Sequence, residues 1–406
     1  MTKTVAIIGA GAAGLMAALD LRAAGYEPVV LESRRRVGGR IHTVHFADGT
    51  WANAGAEWLN SGDLIARALA ERYGLDLLEV PGFEALAENG RLVSDDGALA
   101  TLDAALEDLV SHVSDAAEPW NDPFLRTLDE RDVAEWACSV EADSATRRRF
   151  FRHIRGNYMT QPDELSLAAY VVESSFEGVD RRFRLRDGTA SLPQAMAQDL
   201  GSDRIHLGNP VLSIAHTVDG AVVSTAGRSW RVDAVVVAVP LIALDRIEVT
   251  PALSVPRIAG GRGGKLLVPY ARRAWDAPVH ASGGLAPMAF VYETAPHQPG
   301  AGGVLAAYSV DPLAPAAVVR DFARWFPDAV PASEPPHAVW WSLDPDSGLT
   351  YSAPQPGYLT ALRDLQLPQG RIHFAGEHTQ PLFGYVESAL LSGRRAASAV
   401  ASQLDG

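Results

Sequence analysis

An α/β fold (α+β in overall content), with a parallel sheet interleaved with a mixed-sheet and helical second domain, is predicted for this 406-residue chain. Three observations predict it. The apolar run Val5–Ile8 leads through Gly9-Ala10-Gly11-Ala12-Ala13-Gly14 into a helical pattern. Gly38-Gly39-Arg40 follows the basic run Arg34-Arg35-Arg36. Phe374-Ala375-Gly376-Glu377-His378-Thr379 ends a second apolar run close to the C-terminus.

The first thirty residues read as strand, tight turn, helix, strand. Val5–Ile8 is a short apolar run of the kind buried in a parallel sheet. Leu15, Ala18, Leu19 and Leu21 form one helical face, and Gly25 stops the helix. Pro28–Leu31 is a second buried strand ended by Glu32. From Asp63 to Tyr170 the pattern is mostly helical, with Ser61 as a cap for the first helix and Gly74 as its stop. Helical periodicity recurs over Thr101–Val113, Arg131–Cys138 and Ser144–Ile154. After Arg181 short β-like runs follow at 205–207, 211–214, 221–225 and 233–239, with Asp219-Gly220 as a hairpin turn. The last of these runs returns to the first sheet. Residues 251–356 are rich in Pro and Gly, contain a strand at Lys265–Tyr270, and read as a mixed layer. A strand at Arg371–Ala375 and a helix at Tyr385–Leu404 close the chain. The resulting division is a nucleotide-binding domain from 1–80, 181–250 and 351–406, a helical substrate part at 81–180, and a mixed-sheet substrate part at 251–350.

Composition narrows the function. Hydrophobic residues make up 47% and charged residues 21%, as in a chain with a substantial core. A net charge of −14 argues against nucleic acid as the partner. Cys138 is the one cysteine, which excludes an intrachain disulfide and a multi-cysteine metal site. The histidines show no metal-ligand spacing. No secretory signal precedes the first glycine motif, and no stretch reaches the roughly 20 apolar residues of a membrane span. The expectation is a cytoplasmic protein, off the membrane, and the reading leaves room for a homodimer.

The glycine motif has a physical purpose. Between a buried strand and a helix, Gly9 permits the tight turn, Gly11 the close approach of a phosphate, and Gly14 close helix–strand packing. Ala13 lies in the first helical turn, whose N–H groups favour an anion. Glu32, at the end of the next strand, suits the two ribose hydroxyls of a dinucleotide. Ser33, Arg34, Gly38, Gly39 and Arg40 follow directly, so that the chain can fold back over a pyrophosphate with a cation at hand.

On these residues the sequence resembles the flavin-containing amine oxidase family, which includes monoamine oxidases, polyamine oxidases and L-amino-acid oxidases. Arg186-Asp187-Gly188-Thr189-Ala190-Ser191-Leu192-Pro193 is similar to the family's Gly-Gly-Thr-x-x-Leu-Pro segment, with Asp187 in place of a glycine. Phe374–Thr379 and Gly384-Tyr385-Val386-Glu387-Ser388-Ala389 are similar to its C-terminal flavin signature. The resemblance implies a Rossmann-like fold and FAD. It sets Val211 by the adenine, Glu377 by the ribityl–pyrophosphate region, Val386 and Glu387 by the flavin ring, and Gly55, Ala56, Glu57 and Trp58 along one flavin face. Some monoamine oxidases attach FAD through a cysteine where this chain has Leu349, so the implied FAD is non-covalent.

The same resemblance implies the catalytic groups. Gly264-Lys265-Leu266-Leu267-Val268-Pro269-Tyr270, followed by Trp275, is similar to the family strand whose lysine stands near flavin N5 and assists the reaction with O2. A cation there stabilises developing negative charge. On its own, such a lysine reads as a strand-edge residue at the surface. Tyr385 matches one of two aromatic residues that flank the substrate nitrogen; the second position is Thr350, with Tyr351 one residue later. Trp341 is the tryptophan nearest the flavin in its stretch, and both it and Tyr385 also read as packed aromatics. L-Amino-acid oxidases often carry an arginine where this chain has Glu57 and Trp58, so an amine is expected rather than a free α-amino acid. Glu57 could hold the substrate ammonium or bond to backbone or cofactor.

The implied reaction is oxidation of an amine C–N bond by hydride transfer to flavin N5, imine hydrolysis, and reoxidation by O2 to hydrogen peroxide. The substrate amine must be neutral, so activity should rise with pH. The alternative is a flavin desaturase or tailoring oxidase acting on a non-amine; such relatives commonly lack the lysine.

Overall fold

The computed structural model describes residues 2–80, 84–86, 92–93, 97, 99–176, 181–275, 279–285 and 288–406. A five-stranded sheet runs in the spatial order Ile205–Leu207, Glu27–Glu32, Thr4–Ile8, Ala234–Val237, Ile372–Phe374. Every pairing in it is parallel, with Ile7 opposite Val30 on one side and Val236 on the other. The sheet therefore takes strands from both ends and the middle of the chain. Val5, Ala6, Ile7, Val235 and Val236 are fully buried, which is why these strands read as unbroken apolar runs.

Helix Ala12–Ala23 packs on the sheet and against helices Ser191–Leu200 and Val386–Asp405. It is buried on nearly every side, not along the single face its leucines suggested. Gly393 explains this: a Cβ there would stand 2.2 Å from the Ala13 carbonyl oxygen, so the two helices touch backbone to side.

A four-stranded sheet of Ser229–Val232, Ala221–Thr225, Val211–His216 and Glu248–Thr250 follows. Its central hairpin turns at 217–220, where Thr217 N–H donates to the Gly220 carbonyl (2.8 Å).

A second large sheet holds Gly264–Arg272 between His337–Val339 and Val330–Pro331 on one edge and Gly303–Ser309 on the other, then Met288–Glu293, His280–Leu285, Glu84–Leu86 and Leu92–Val93. Helix Ser144–Tyr158 packs across strands His280–Leu285 and Met288–Glu293.

The region expected to be helical from Asp63 onward is interrupted by strands at Leu77–Val80 and Glu84–Leu86, which pair with the distant strands Arg182–Leu185 and His280–Leu285, and at Leu92–Val93, which pairs with Glu84–Leu86. The helices expected there run over Ala100–Ser111, Val133–Ser139 and Ser144–Tyr158. Ser61 does not cap helix Leu64–Arg72. The carboxylate of Glu387 does so from across the fold, accepting the N–H groups of Ile65 and Ala66 (both 2.8 Å). Among the described residues, no helix is long and apolar enough to cross a membrane.

Candidate active site

A cavity of about 970 Å³ lies where the parallel sheet, the second large sheet and helices Ser144–Tyr158 and Leu167–Ser174 meet. The glycine turn forms one part of its wall. Gly9 has φ +103°, a conformation open to glycine, and its N–H donates to the Leu31 carbonyl (2.8 Å). A Cβ at Gly14 would stand 2.0 Å from the Gly9 carbonyl oxygen, so the helix can begin against the strand only because that position is bare. Gly38 N–H donates to the Ala10 carbonyl (2.8 Å), which folds the second glycine segment over the first.

Two helices start at this cavity without a side-chain cap. Gly11 precedes Ala12–Ala23 and Tyr385 precedes Val386–Asp405, and neither supplies a capping oxygen. A Cβ at Gly11 would meet nothing within 4 Å, so the space before the first helix is open. Uncapped N–H groups beside open space are what a pyrophosphate requires. Glu32 is buried, with its carboxylate accepting N–H bonds from Ala10 and Arg34 (both 2.8 Å). Arg40 lies 3.0 Å from Glu377 and donates to the Thr350 carbonyl (3.1 Å). Burial would raise the Glu377 carboxyl, but Arg40, His378, the Gly384 N–H and Ser352 together hold it below the ordinary value. These residues fit FAD: an anion cradle, a carboxylate at the end of the second strand and a paired cation share one wall.

The remaining wall is aromatic. Trp58, Tyr158, Tyr308, Trp341, Tyr351 and Tyr385 all line it, and Trp341 is fixed by an indole N–H bond to the Ala54 carbonyl (2.9 Å). Thr350 and Tyr351 both reach the cavity, with Tyr351 beside Gly384 and Tyr385. Glu173, near the end of helix Leu167–Ser174, accepts hydroxyl bonds from Tyr385 (2.7 Å) and Tyr158. Burial raises the Glu173 carboxyl above its ordinary value, and the two tyrosines oppose that rise.

Lys265 lines the same cavity and is buried, not a surface strand-edge residue. Its ammonium donates to the carbonyls of Gly55 (2.7 Å) and Asn53 (3.1 Å) and to Glu57 (2.9 Å). Glu57 is thereby engaged: its other oxygen lies 3.1 Å from Arg184 Nε.

Of the expected site residues, Gly9, Gly11, Ala13, Glu32, Ser33, Arg34, Gly38, Gly39, Arg40, Gly55, Ala56, Glu57, Trp58, Val211, Lys265, Trp341, Gly376, Glu377, Tyr385 and Val386 line this single cavity. Gly14 and Glu387 do not. Gly14 faces the Gly9 carbonyl, and Glu387 points away from the cavity to cap helix Leu64–Arg72. The sequence reading missed Glu173, Tyr158, Arg182 and Arg184. One available signal was Tyr170 and Glu173, spaced to share a helix face; both line the cavity.

Comparison with known proteins agrees with this architecture. The sequence profile of the flavin containing amine oxidoreductases matches residues 12–401. The L-amino acid dehydrogenase of Synechocystis sp. is 26% identical over 97% of this chain and 94% of its own. Putrescine oxidase of Kocuria rosea is 30% identical over 63% of this chain and 60% of its own. Among solved structures, cyclohexylamine oxidase from Brevibacterium oxydans IH-35A superposes with a TM-score of 0.85 at 23% identity over 100% of both chains, a likeness of fold. The chain is an FAD-dependent oxidoreductase of the amine-oxidising class. It belongs to the flavin containing amine oxidoreductase family.

Proposed function

We propose that this protein oxidises a primary or secondary amine whose nitrogen lies in the aromatic part of the cavity. The observation that carries this reading is Glu173, a carboxylate on the wall whose hydrogen bonds come from two tyrosine hydroxyls. A carboxylate among aromatic faces suits an ammonium by charge and by cation–π attraction. Tyr351 and Tyr385 narrow the space beside it, and Lys265 supplies a cation on the same wall.

FAD, when bound, supplies the hydride acceptor and passes the electrons to O2, so that amine and O2 become imine and hydrogen peroxide. The chain's own residues do the rest. Glu173 orients the arriving ammonium and takes up its proton, because the amine must be neutral before its carbon gives up hydride. Lys265 keeps positive charge where negative charge develops. Water then converts the imine to a carbonyl compound. The cofactor is held without a covalent bond: Cys138 is exposed on helix Val133–Ser139, and Leu349 occupies the position of the attaching cysteine.

A second reading has its own observation. Arg182 lines the cavity and could meet the carboxylate of an L-amino acid. Mixing the flavin-loaded protein anaerobically with monoamines, diamines and L-amino acids, and following loss of flavin colour, separates the two. Amines should bleach the flavin and release peroxide when air is admitted. Bleaching by amino acids alone would transfer the substrate role to Arg182, and no bleaching by either class would favour a non-amine oxidation.

A further inference from the structure

The chain has only two lysines, Lys3 and Lys265, against an otherwise all-arginine set of basic residues. Lys3 is at the N-terminal edge of the fold, where it bonds the Leu404 carbonyl. Lys265 belongs to a buried trio that the reaction does not by itself demand.

Glu57 enters this trio from the loop after strand Trp51–Asn53, Lys265 from strand Gly264–Arg272, and Arg184 from strand Arg182–Leu185. The side chains of Lys265, Glu57 and Arg184 are 5%, 0% and 1% exposed. Two cations therefore share one carboxylate, one on each oxygen, and Glu293, the next carboxylate to act on Arg184, is itself paired with Arg273 (3.0 Å), so the group keeps one positive charge in excess. The ammonium has three N–H donors, matched by Asn53, Gly55 and Glu57. The Arg184 Nη1 and Nη2 atoms are buried and donate no hydrogen bond among the described residues; the guanidinium instead lies 5.7 Å from the ring centres of both Trp58 and Tyr292. Tyr292 and Tyr308 also face the ammonium, at 5.4 and 5.9 Å. Burial raises both phenols above their ordinary value, so they stay neutral. The groups able to set the charge on Lys265 are then Glu57 and Arg184, acting in opposite directions. Burial pulls Lys265 below its ordinary value, Glu57 pushes it back up, and Arg184 pulls it down.

We propose that Glu57 and Arg184 are opposed positioning residues for Lys265. The carboxylate pins the ammonium against the Asn53 and Gly55 carbonyls, and the guanidinium, by sharing that carboxylate, leaves the ammonium's charge incompletely cancelled at the cavity wall. This rests on the reading of Lys265 as the cation that assists reoxidation, and adds the device that keeps it charged and aimed.

With two lysines, side-chain nitrogen-15 labelling gives two lysine signals, and K265M assigns them. In the flavin-loaded protein, the pH at which Lys265 loses its proton should fall by at least about one unit in E57Q, because the anion is gone. It should rise in R184M, because a repelling cation is gone. E57D should fall between wild type and E57Q. The pH profile of reoxidation after anaerobic reduction should move in the same two directions. Opposite movement is what a purely structural role would not produce. Shifts of one sign in E57Q and R184M, or an unmoved Lys265 titration, overturn the proposal; should E57Q fail to fold, E57D and R184M decide it alone. If K265M reoxidises like wild type, the oxygen role fails while the titrations still judge the trio.

Discussion

Glu377 and Glu173 are both acidic side chains on the wall of the same cavity, and the fold treats them in opposite ways. Glu377 follows strand Ile372–Phe374 and is held by a cation, a backbone N–H and a hydroxyl: Arg40 at 3.0 Å, Gly384 at 2.8 Å and Ser352 at 3.1 Å. Glu173, among the described residues, is held by two phenols alone. The first carboxylate has its charge matched by a cation, and the second, among the described residues, has none in its hydrogen bonds; the proposed role of Glu173 toward an ammonium rests on that difference. Their proton linkages differ accordingly. A carboxyl held below its ordinary value contributes stability at pH above the ordinary carboxylate range, and that contribution is lost as pH falls through the depressed value. A carboxyl raised above its ordinary value works the other way, and stability is lost as pH rises through the raised value.

The sharpest break in this comparison comes from removing the cation that matches Glu377. R40M would leave Glu377 buried without its ion pair. The expected cost is on the order of 3 kcal/mol at neutral pH, from the stranded charge. Urea unfolding should show that cost shrinking towards acid pH, as Glu377 takes up a proton. An undiminished loss of stability at low pH would mean that Arg40 acts through packing instead.

The strand–turn–helix–strand unit that opens the chain was legible in the sequence because its geometry is local. Gly9, Gly11, Gly14 and Glu32 act within one strand–turn–helix–strand unit, where spacing fixes geometry. The aromatic side of the cavity is different. Glu173 comes from one helix, Tyr158 from another, Tyr385 from the start of a third, and Arg182 and Lys265 from separate strands. No spacing along the chain records that meeting. Glu57 shows the same limit: its type and place near the flavin motif were readable, but its partners Lys265 and Arg184 lie 208 residues and more than half that distance further along. Glu387 shows the converse, since a residue inside a legible motif turned out to cap a helix drawn from a distant part of the chain.

A milder test addresses Glu173. E173Q preserves size and one accepting oxygen but removes the charge. Flavin affinity should be unchanged, because Glu173 reaches the cradle only through the Tyr385 hydroxyl and bonds none of its N–H groups. The KM for the amine should rise about 10- to 100-fold, the loss expected when a hydrogen bond to a charged group is removed. A KM left in place with a lowered kcat would keep Glu173 as a proton acceptor and cancel its part in recognition.

The smallest expected change is the most discriminating. Y385F keeps the ring beside the cavity and removes one hydroxyl that donates to Glu173. Loss of one such bond should weaken amine binding about three- to tenfold. It should also move a pH profile. Tyr385 and Tyr158 oppose the rise that burial imposes on the Glu173 carboxyl, so without the Tyr385 hydroxyl that carboxyl should titrate at still higher pH. The pH at which KM begins to fall should therefore move upward in Y385F and disappear in the double variant with E173Q, where no carboxyl remains to titrate. An upward shift that persists in the double variant would show that Tyr385 acts on the substrate or cofactor directly, and that the two tyrosines serve Glu173 only as packing.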